Sequence, residues 1–318
     1  MKIHIKELKT SDYPGVQKIY TDSNNKTFQH TPEFISYHGK RFENLSILIT
    51  NEDVPIAYCL AAIDDSASHI VASHPGAAFG GLVTNDNIRG NDTVNILECL
   101  LNHYSKLGFK EFTYKETPYI YAKNPSCDLI YATNRNGGVK KTSLLSCAVD
   151  LRNPETYSSQ RIRGIKKGKT CVDAEYGWGN IEAFWALLNE NLDFRHSSTP
   201  VHSFAEIEIL KNTFKDEIDL VVARDKKGGK ISAGLLLFKS SYVWKTQYIA
   251  SNELGRKTGA LDYLFNQVMF VARQAQIKYL DMGTSNEASG SILNEGLYRF
   301  KSGFGGGGLN YDQYRFQL

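Results

Sequence analysis

The segment TGALDYLFNQVMFVARQAQIKYLDMGTSNE, residues 258–287, decides the fold. Its apolar residues recur with the i, i+1, i+4, i+5 spacing of one stripe on an amphipathic helix: Leu264, Phe265, Val268 and Met269. Within a few residues this pattern gives way to the alternating run IKYLDMG, which predicts a strand. A long helix that leads directly into a strand is typical of an α/β unit.

The same pattern occurs earlier in NDTVNILECLLNHYSKLGFKEFTYKETP, residues 91–118. A shift of 168 residues aligns the two apolar stripes, with Ile96, Leu97, Leu100, Leu101 and Leu107 on Leu264, Phe265, Val268, Met269 and Ala275. Upstream, each copy has a predicted hairpin, with turns at 51–53 and 226–230, and then an apolar run, AAFGGLV or TQYIAS. We interpret the chain as two copies of one α/β unit, with two unrelated α/β domains as the alternative.

This repeat predicts domains at 1–152 and 173–318, joined by a basic segment at 153–172. The segment carries five cations within nine residues: Arg161, Arg163, Lys166, Lys167 and Lys169. Two interpretations stay open. The segment is either a solvated connecting helix or a basic rim that attracts an anionic cosubstrate.

Composition is that of an ordinary globular protein, with 318 residues, 42% hydrophobic and 22% charged. The sequence has neither an apolar run of membrane-spanning length nor a signal-peptide pattern, so we expect no membrane span and a cytoplasmic location. The five scattered cysteines predict neither a disulfide framework nor a metal site. A net charge of +3 gives no indication of DNA binding.

The stretch YIASNELGRKTGALDYL, residues 248–264, places a glycine-bearing turn between a buried strand and a helix. This layout resembles the GNAT acyltransferase superfamily, whose pyrophosphate loop precedes such a helix, and helix N-termini favour phosphates. The resemblance implies an acyl-CoA cosubstrate, acetyl-CoA above all. The residues that it implies for cofactor binding are Gly255, Arg256, Lys257, Thr258, Gly259, Ala260 and Asn294. The first copy has Asp92 near its helix start, which disfavours phosphate, so we expect the donor in the second copy.

Three further stretches closely resemble FemAB-related GNAT acyltransferases: SHPGAAFGGLV (73–83), RHSSTPVHSFAEIEIL (195–210) and the region from residue 279 to the glycine run. The resemblance covers nearly the whole chain. It implies an α/β fold with mixed sheets, in which two tandem GNAT-like domains pack around a shared cleft. It also implies acyl transfer from acyl-CoA to the amino group of a small molecule, with an amino sugar as the favoured acceptor.

Two other functions stay open beside this one. The first is a Fem-type transferase that uses aminoacyl-tRNA as donor, and the second is an inactive GNAT pair that serves as a binding module. The sequence leaves the oligomeric state, monomer or homodimer, undecided.

The stretch NEGLYRFKSGF, residues 294–304, resembles the last GNAT helix. We expect Leu293, Leu297 and Phe300 to face the core and Gly303 to end the helix in a left-handed conformation. The following glycines then end a helix and do not form a nucleotide loop. GNAT enzymes often carry a tyrosine general acid here. In this chain Tyr298 is one residue out of register, so a core or surface role is equally compatible.

Lys301 stands where Fem-like proteins carry a lysine, and it is a candidate oxyanion stabiliser or, alternatively, a helix C-terminal cation. Aminolysis also needs a proton acceptor, and the candidates are His196, His202, Asp281 and Glu287. We expect an acceptor pocket lined by His74, Phe79, Gly80, Gly81 and His196. No Ser-His-Asp arrangement emerges from the sequence.

Overall fold

A computed structural model describes residues 1–73, 75–196 and 200–318, without the side chains of residues 193–196 and 289. The chain divides into two compact units. The first comprises Met1–Leu144 together with Asn310–Leu318, and the second comprises Leu145–Leu309. Two long strands, at residues 139–150 and 307–317, each contribute residues to both units.

Among its described residues, the first unit contains seven complete strands, four α-helices and parts of the two shared strands. The complete strands are β1 (Ile3–Glu7), β2 (Ile47–Asn51), β3 (Val54–Cys59), β4 (Ala61–Asp64), β5 (Ala67–Ser73), β6 (Leu82–Thr84) and β7 (Glu111–Lys115), and the first shared strand is β8 (Val139–Asp150). The helices are α1 (Tyr13–Asp22), α2 (Pro32–Ile35), α3 (Asn91–Lys106) and α4 (Asp128–Arg135). Short 3₁₀ turns lie at Thr10–Asp12, Phe28–His30, Ser36–His38 and Tyr119–Tyr121.

In the part of the second unit that the structure describes, there are six α-helices and seven further strands. Its helices are α5 (Ser159–Cys171), α6 (Ile181–His196), α7 (Phe204–Thr213), α8 (Glu253–Thr258), α9 (Ala260–Gln274) and α10 (Glu295–Ser302). Its strands are β9 (Val172–Tyr176), β10 (Ile218–Asp225), β11 (Ile231–Lys239), β12 (Val243–Ser251), β13 (Tyr279–Thr284), β14 (Asn286–Glu287) and β15 (Ile292–Leu293), and the last strand of the chain is β16 (Gly307–Gln317). Further 3₁₀ turns lie at Trp178–Asn180 and Ala288–Gly290.

The two units repeat one topology, which confirms the predicted internal duplication. In the first unit β5 pairs in parallel with β7 after the crossover helix α3, over only three residue pairs. In the second unit β12 pairs in parallel with β13 after α8 and α9, again over three pairs. The neighbouring strand pairs in both units are antiparallel. Both hairpin turns lie where the sequence predicts them, between β2 and β3 and between β10 and β11.

The predicted helix stripes form the cores of both units. Ile96, Leu97 and Leu100 of α3 are buried beneath the first unit's sheets, and the equivalent residues of α9 are fully buried in the second unit. The stripe ends one turn earlier than we predicted, because Leu107 and Ala275 are C-caps and lie exposed. The run AAFGGLV does not form the strand of the first unit that pairs in parallel with β7, which is β5 instead. Only its end forms β6, which pairs with β3 in another sheet.

Helix α10 lies where the sequence predicts it, but it turns a different face to the core. Asn294 caps its start by accepting a hydrogen bond from Leu297 N at 2.9 Å. Leu293 and Leu297 are each 37% exposed, so the prediction that they face the core is wrong, whereas Phe300 packs against the core as predicted. Lys301 points inward with 2% exposure. Gly303 at the C-cap is right-handed, so the left-handed stop that we expected there is wrong, and Gly305 carries the positive φ instead. Phe304 packs into the core as predicted.

Among the residues described, no helix is both long enough and apolar enough to traverse a bilayer.

Candidate functional site

The second unit's sheet opens at the point where β12 and β13 part. The two strands pair only from Val243–Lys245 to Tyr279–Asp281, whereas β12 continues to Ser251 along β11. A β-bulge at Gln247 shifts the register between β12 and β11 just beyond this point. Bulges bend strands and often occur beside functional sites. Past Lys245, one edge of β12 therefore has no described strand beside it.

Lys301 of α10 reaches into this opening. Its Nζ donates hydrogen bonds to the carbonyl oxygens of Gly283 at 2.8 Å and Thr284 at 2.7 Å. Gly283 has a φ of 76°, a conformation that favours glycine, and this turn lies at the end of β13 beside the ammonium group. Two carbonyl bonds leave one ammonium N–H for a further acceptor.

Asp281 supplies the negative charge of the site. It is fully buried, and its Oδ1 accepts hydrogen bonds from Ser146 Oγ at 2.6 Å and Gly283 N at 2.9 Å. Burial lowers the pKa of Lys301 to about 8 and also lowers the pKa of Lys245, while the Asp281 charge opposes both shifts. The charge of Asp281 thus acts on two buried lysine side chains, of which α10 supplies Lys301 and β12 supplies Lys245.

This arrangement suits a reaction in which negative charge develops on an oxygen atom. Preorganised donors in a buried site stabilise such a charge far better than water does. With a pKa of about 8, Lys301 is mostly protonated at neutral pH and can act as the cation. The site therefore has the electrostatics of an oxyanion site.

The low pKa of Lys301 predicts a specific pH dependence of stability. Below pH 8 the amine is protonated in both the folded and unfolded states. Between about pH 8 and its ordinary value of 10.5, only the unfolded state holds the proton, so stability rises with pH. We expect wild-type protein to gain up to about 3 kcal/mol relative to Lys301→Met over this range. Urea unfolding at a series of pH values measures the difference, and parallel pH profiles for the two proteins would contradict the prediction.

The predicted pyrophosphate loop is largely helical. Residues 253–258 form α8, and left-handed Gly259 joins α8 to α9. A Cβ at Gly255 would overlap Ser232 O of β11, and one at Gly259 would overlap Gly164 O of α5. Both glycines are thus required by packing. Thr258 and Ala260 are buried as well, so within residues 255–260 the exposed side chains are those of Arg256 and Lys257.

Arg256 and Lys257 have weak partners of their own. Arg256 donates to Ser251 O at 2.8 Å, and Lys257 forms a largely exposed ion pair with Glu253 at 2.7 Å. Exposed ion pairs contribute little, so both cations are available to an anionic ligand. The role of this segment in cofactor binding stays a prediction.

The other candidates of the second unit lie in separate environments. His202 is buried against Tyr248, with Nδ1 2.6 Å from the Tyr248 hydroxyl, in an aromatic cluster beside α6. Ser203, the residue after His202, caps the start of α7. Glu287 is exposed and accepts from Asn294 Nδ2 at 2.6 Å. Tyr298 is half-buried three residues before Lys301, and burial raises its pKa.

In the first unit, Phe79, Gly80 and Gly81 are buried in the core. The Phe79 ring packs 4.9 Å from that of Tyr121, and a Cβ at Gly81 would overlap the Tyr114 ring. They do not line the nearby cavity of about 200 Å³, whose walls include Tyr13, His38, Phe42, Asn44, Ala62 and Pro75. His74 and the side chain of His196 lie outside the described residues.

Sequence reasoning missed Lys245 and Ser146. The only available signal was a lysine within the buried strand segment YVWKTQYIAS. In the described part of the chain, no group of three or more His, Cys, Asp or Glu residues is placed to hold a metal ion. All five cysteines are free thiols.

No protein-family model and no curated protein sequence matches this chain. Solved structures do resemble it. FemX superposes with a TM-score of 0.71 at 9% identity, over 99% of this chain and 97% of FemX. The C-terminal domain of a putative lysylphosphatidylglycerol synthetase from Agrobacterium fabrum gives 0.60 at 12% identity, over 96% and 91% of the two chains. A tandem GNAT protein from the clavulanic acid biosynthesis pathway gives 0.56 at 9% identity, over 99% and 98%.

These likenesses extend over nearly the whole of each chain. The fold is therefore a tandem GNAT-like fold with mixed α/β sheets, similar to that of FemX, as the sequence predicted.

Proposed function

We propose that the protein is a GNAT-type N-acyltransferase that moves an acyl group from acyl-CoA to an amine. The observation that carries this proposal is the buried Lys301 ammonium group, held where β12 and β13 part. Burial destabilises the charged form of Lys301, and a second buried lysine lies beside it. Two such side chains together indicate a site that acts on an anionic species.

The reaction divides into two steps. The nitrogen of a neutral amine attacks the thioester carbonyl carbon, and the carbonyl oxygen takes up the electron pair as a C–N bond forms. Lys301 donates its remaining N–H to this oxyanion. The intermediate then expels the thiolate, and the amine proton leaves with a base. Tyr298 and Glu287 lie on the segments next to Lys301, and we propose them for protonating the thiolate and accepting the amine proton.

The remaining acid–base candidates have different roles in this proposal. Asp281 is buried and already accepts two hydrogen bonds, so we assign it the electrostatic support of the two lysines. His202 lies in the aromatic cluster with Tyr248 and stays a candidate base through that hydroxyl.

The open edge of β12 suits the donor. Extended ligands add to free sheet edges through main-chain hydrogen bonds, and the pantetheine arm of CoA carries two amides in an extended chain. Along this edge its thioester would approach Lys301. The CoA phosphates would then meet the projecting side chains of Arg256 and Lys257. We propose acetyl-CoA as donor and a small-molecule amine, an amino sugar, as acceptor, in a cytoplasmic enzyme.

Aminoacyl-tRNA is the second candidate donor. One observation favours it. The CoA interpretation expected Gly255 and Gly259 to let a pyrophosphate group approach the backbone, but other backbone atoms of the protein already occupy the space beside both glycines. The fold likeness to FemX is compatible with this donor. The chemistry at Lys301 is the same in both cases, since an ester or a thioester carbonyl develops the same oxyanion.

Replacing Arg256 with alanine should weaken acyl-CoA binding by about tenfold or more, because a charge-assisted hydrogen bond contributes about 1.5–3 kcal/mol. A thermal-shift titration with acetyl-CoA, longer acyl-CoAs and free CoA measures this, since saturating ligand stabilises the folded state. Arg135→Ala, which removes an exposed arginine from α4, is the matched control.

Saturable CoA binding that is weakened only by Arg256→Ala would support the donor assignment. Unchanged affinity in Arg256→Ala would remove this residue from the site. If no CoA species shifts the melting temperature while a charged tRNA does, the second donor replaces the first.

A further inference from the structure

Helix α5 concentrates positive charge on the outside of the second unit. Its thirteen residues contain five cations and no acidic residue. Arg161 turns inward, where its guanidinium pairs with Asp262 at 2.7 Å and lies over the Phe300 ring at 4.5 Å. The other four cations are exposed: Arg163, Lys166, Lys167 and Lys169.

The turn between β10 and β11 extends this charge. Lys226 N donates to Cys171 O at 3.0 Å, and Lys226 Nζ donates to Lys169 O at the same distance, so the turn lies against the end of α5. Lys227 and Lys230 of this turn are exposed. We call these seven residues the basic surface: Arg163, Lys166, Lys167, Lys169, Lys226, Lys227 and Lys230.

Few carboxylates balance the basic surface. Asp173 lies 3.4 Å from Lys226, and Asp225 is engaged in the turn, where it accepts from Gly228 N at 2.6 Å. Seven cations and two carboxylates together carry a net charge of +5, which exceeds the +3 net charge of the entire chain. The remainder of the protein is therefore slightly acidic. The charge is therefore localised in one place.

The fold does not require these charges. Arg163, Lys166 and Lys167 stand three and four residues apart, which places like charges side by side on the helix, and such pairs destabilise helices. The packing of α5 on α9 uses Arg161, Gly164 and Gly168 instead. The exposed cations of α5 thus repel one another and take no part in this packing, which indicates a function in binding an extended anionic partner.

We propose that the basic surface docks on the face of an anionic lipid bilayer. This proposal goes beyond the acyl-transfer function and does not depend on it. A bilayer suits the surface because Ile162, 42% exposed among the cations of α5, can enter the interfacial region while the cations meet the headgroups. Neither α5 nor the turn at residues 226–230 contains an aromatic residue, and aromatic rings are what single-stranded nucleic acids stack upon.

The experiment is co-sedimentation with vesicles. We expect wild-type protein to bind vesicles of equimolar phosphatidylcholine and phosphatidylglycerol at low salt, and not to bind pure phosphatidylcholine. Binding should fall steeply with salt, because the Debye length is only about 10 Å at 0.1 M. Each Lys or Arg near an anionic surface contributes roughly a fivefold gain in partitioning. Lys166→Glu with Lys167→Glu should therefore reduce binding at least tenfold.

Lys106→Glu with Lys110→Glu is the matched control, since it makes the same change in net charge at exposed positions of the first unit. Lys166→Gln with Lys167→Gln, which preserves helix propensity, serves if the charge reversal unfolds the protein.

Three results would overturn the proposal: no binding of wild-type protein to anionic vesicles at low salt, equal losses in the test and control variants, or binding of total yeast tRNA without binding of vesicles. The last result would assign the basic surface to nucleic acid.

Discussion

Replacing Lys301 with methionine is expected to lower the rate of acyl transfer by about two to three orders of magnitude. The loss of one preorganised oxyanion donor typically costs about 2.7–4 kcal/mol of transition-state stabilisation. Methionine fills a similar volume and leaves out a buried charge, so we expect the variant to fold. The measurement is kcat/KM with a fixed amine and acyl donor, with the melting temperature as the check on folding.

Lys301→Arg is the informative companion, because it keeps the positive charge in a different shape. We expect it to retain more activity than Lys301→Met. A methionine variant with the wild-type rate would show that Lys301 has only a structural role, in which its hydrogen bonds to Gly283 and Thr284 hold α10 against β13.

The second large effect concerns stability. Asp281→Asn preserves the shape of the side chain, and the amide oxygen can still accept from Ser146 and Gly283, but the carboxylate charge is lost. Lys245 and Lys301 then lose the carboxylate that opposes the lowering of their pKa, and removing one partner of a buried charge pair costs about 3–5 kcal/mol. We expect a loss of this size in the free energy of urea unfolding at neutral pH.

The loss should shrink at about pH 9.5, where Lys301 is already neutral in the folded state. Asp219→Asn is the control. Its partner Lys239 lies 3.3 Å away in a half-exposed pair, and such pairs contribute less than about 1 kcal/mol. Equal losses in the two variants would show that Asp281 is not the counter-charge of the two lysines.

Local patterns predicted much of the fold. The apolar stripes of α3 and α9, both hairpin turns and the existence of α10 depend on neighbours in sequence, which periodicity and turn residues report. The rotation of α10 was not predictable in this way. It depends on the cap at Asn294 and on the carbonyls of Gly283 and Thr284, which only the folded sheet brings to Lys301.

The candidate site was predicted in part for the same reason. The sequence made Lys301 a candidate oxyanion stabiliser and Asp281 a candidate proton acceptor, but Lys245 looked like an ordinary polar position in a strand. The glycines at residues 255 and 259 show how a local pattern can also suggest a role for which the fold gives another reason. Their pattern resembled a phosphate loop, whereas Gly259 fits against α5, a helix about ninety residues earlier, and no local pattern reports that contact.

The most direct test of the account is a crystal structure with a non-hydrolysable acetyl-CoA analogue. The account predicts that the pantetheine arm lies along the open edge of β12 and that the carbonyl oxygen of the analogue accepts a hydrogen bond from Lys301 Nζ. An analogue bound elsewhere, with Lys301 still holding only Gly283 and Thr284, would contradict it.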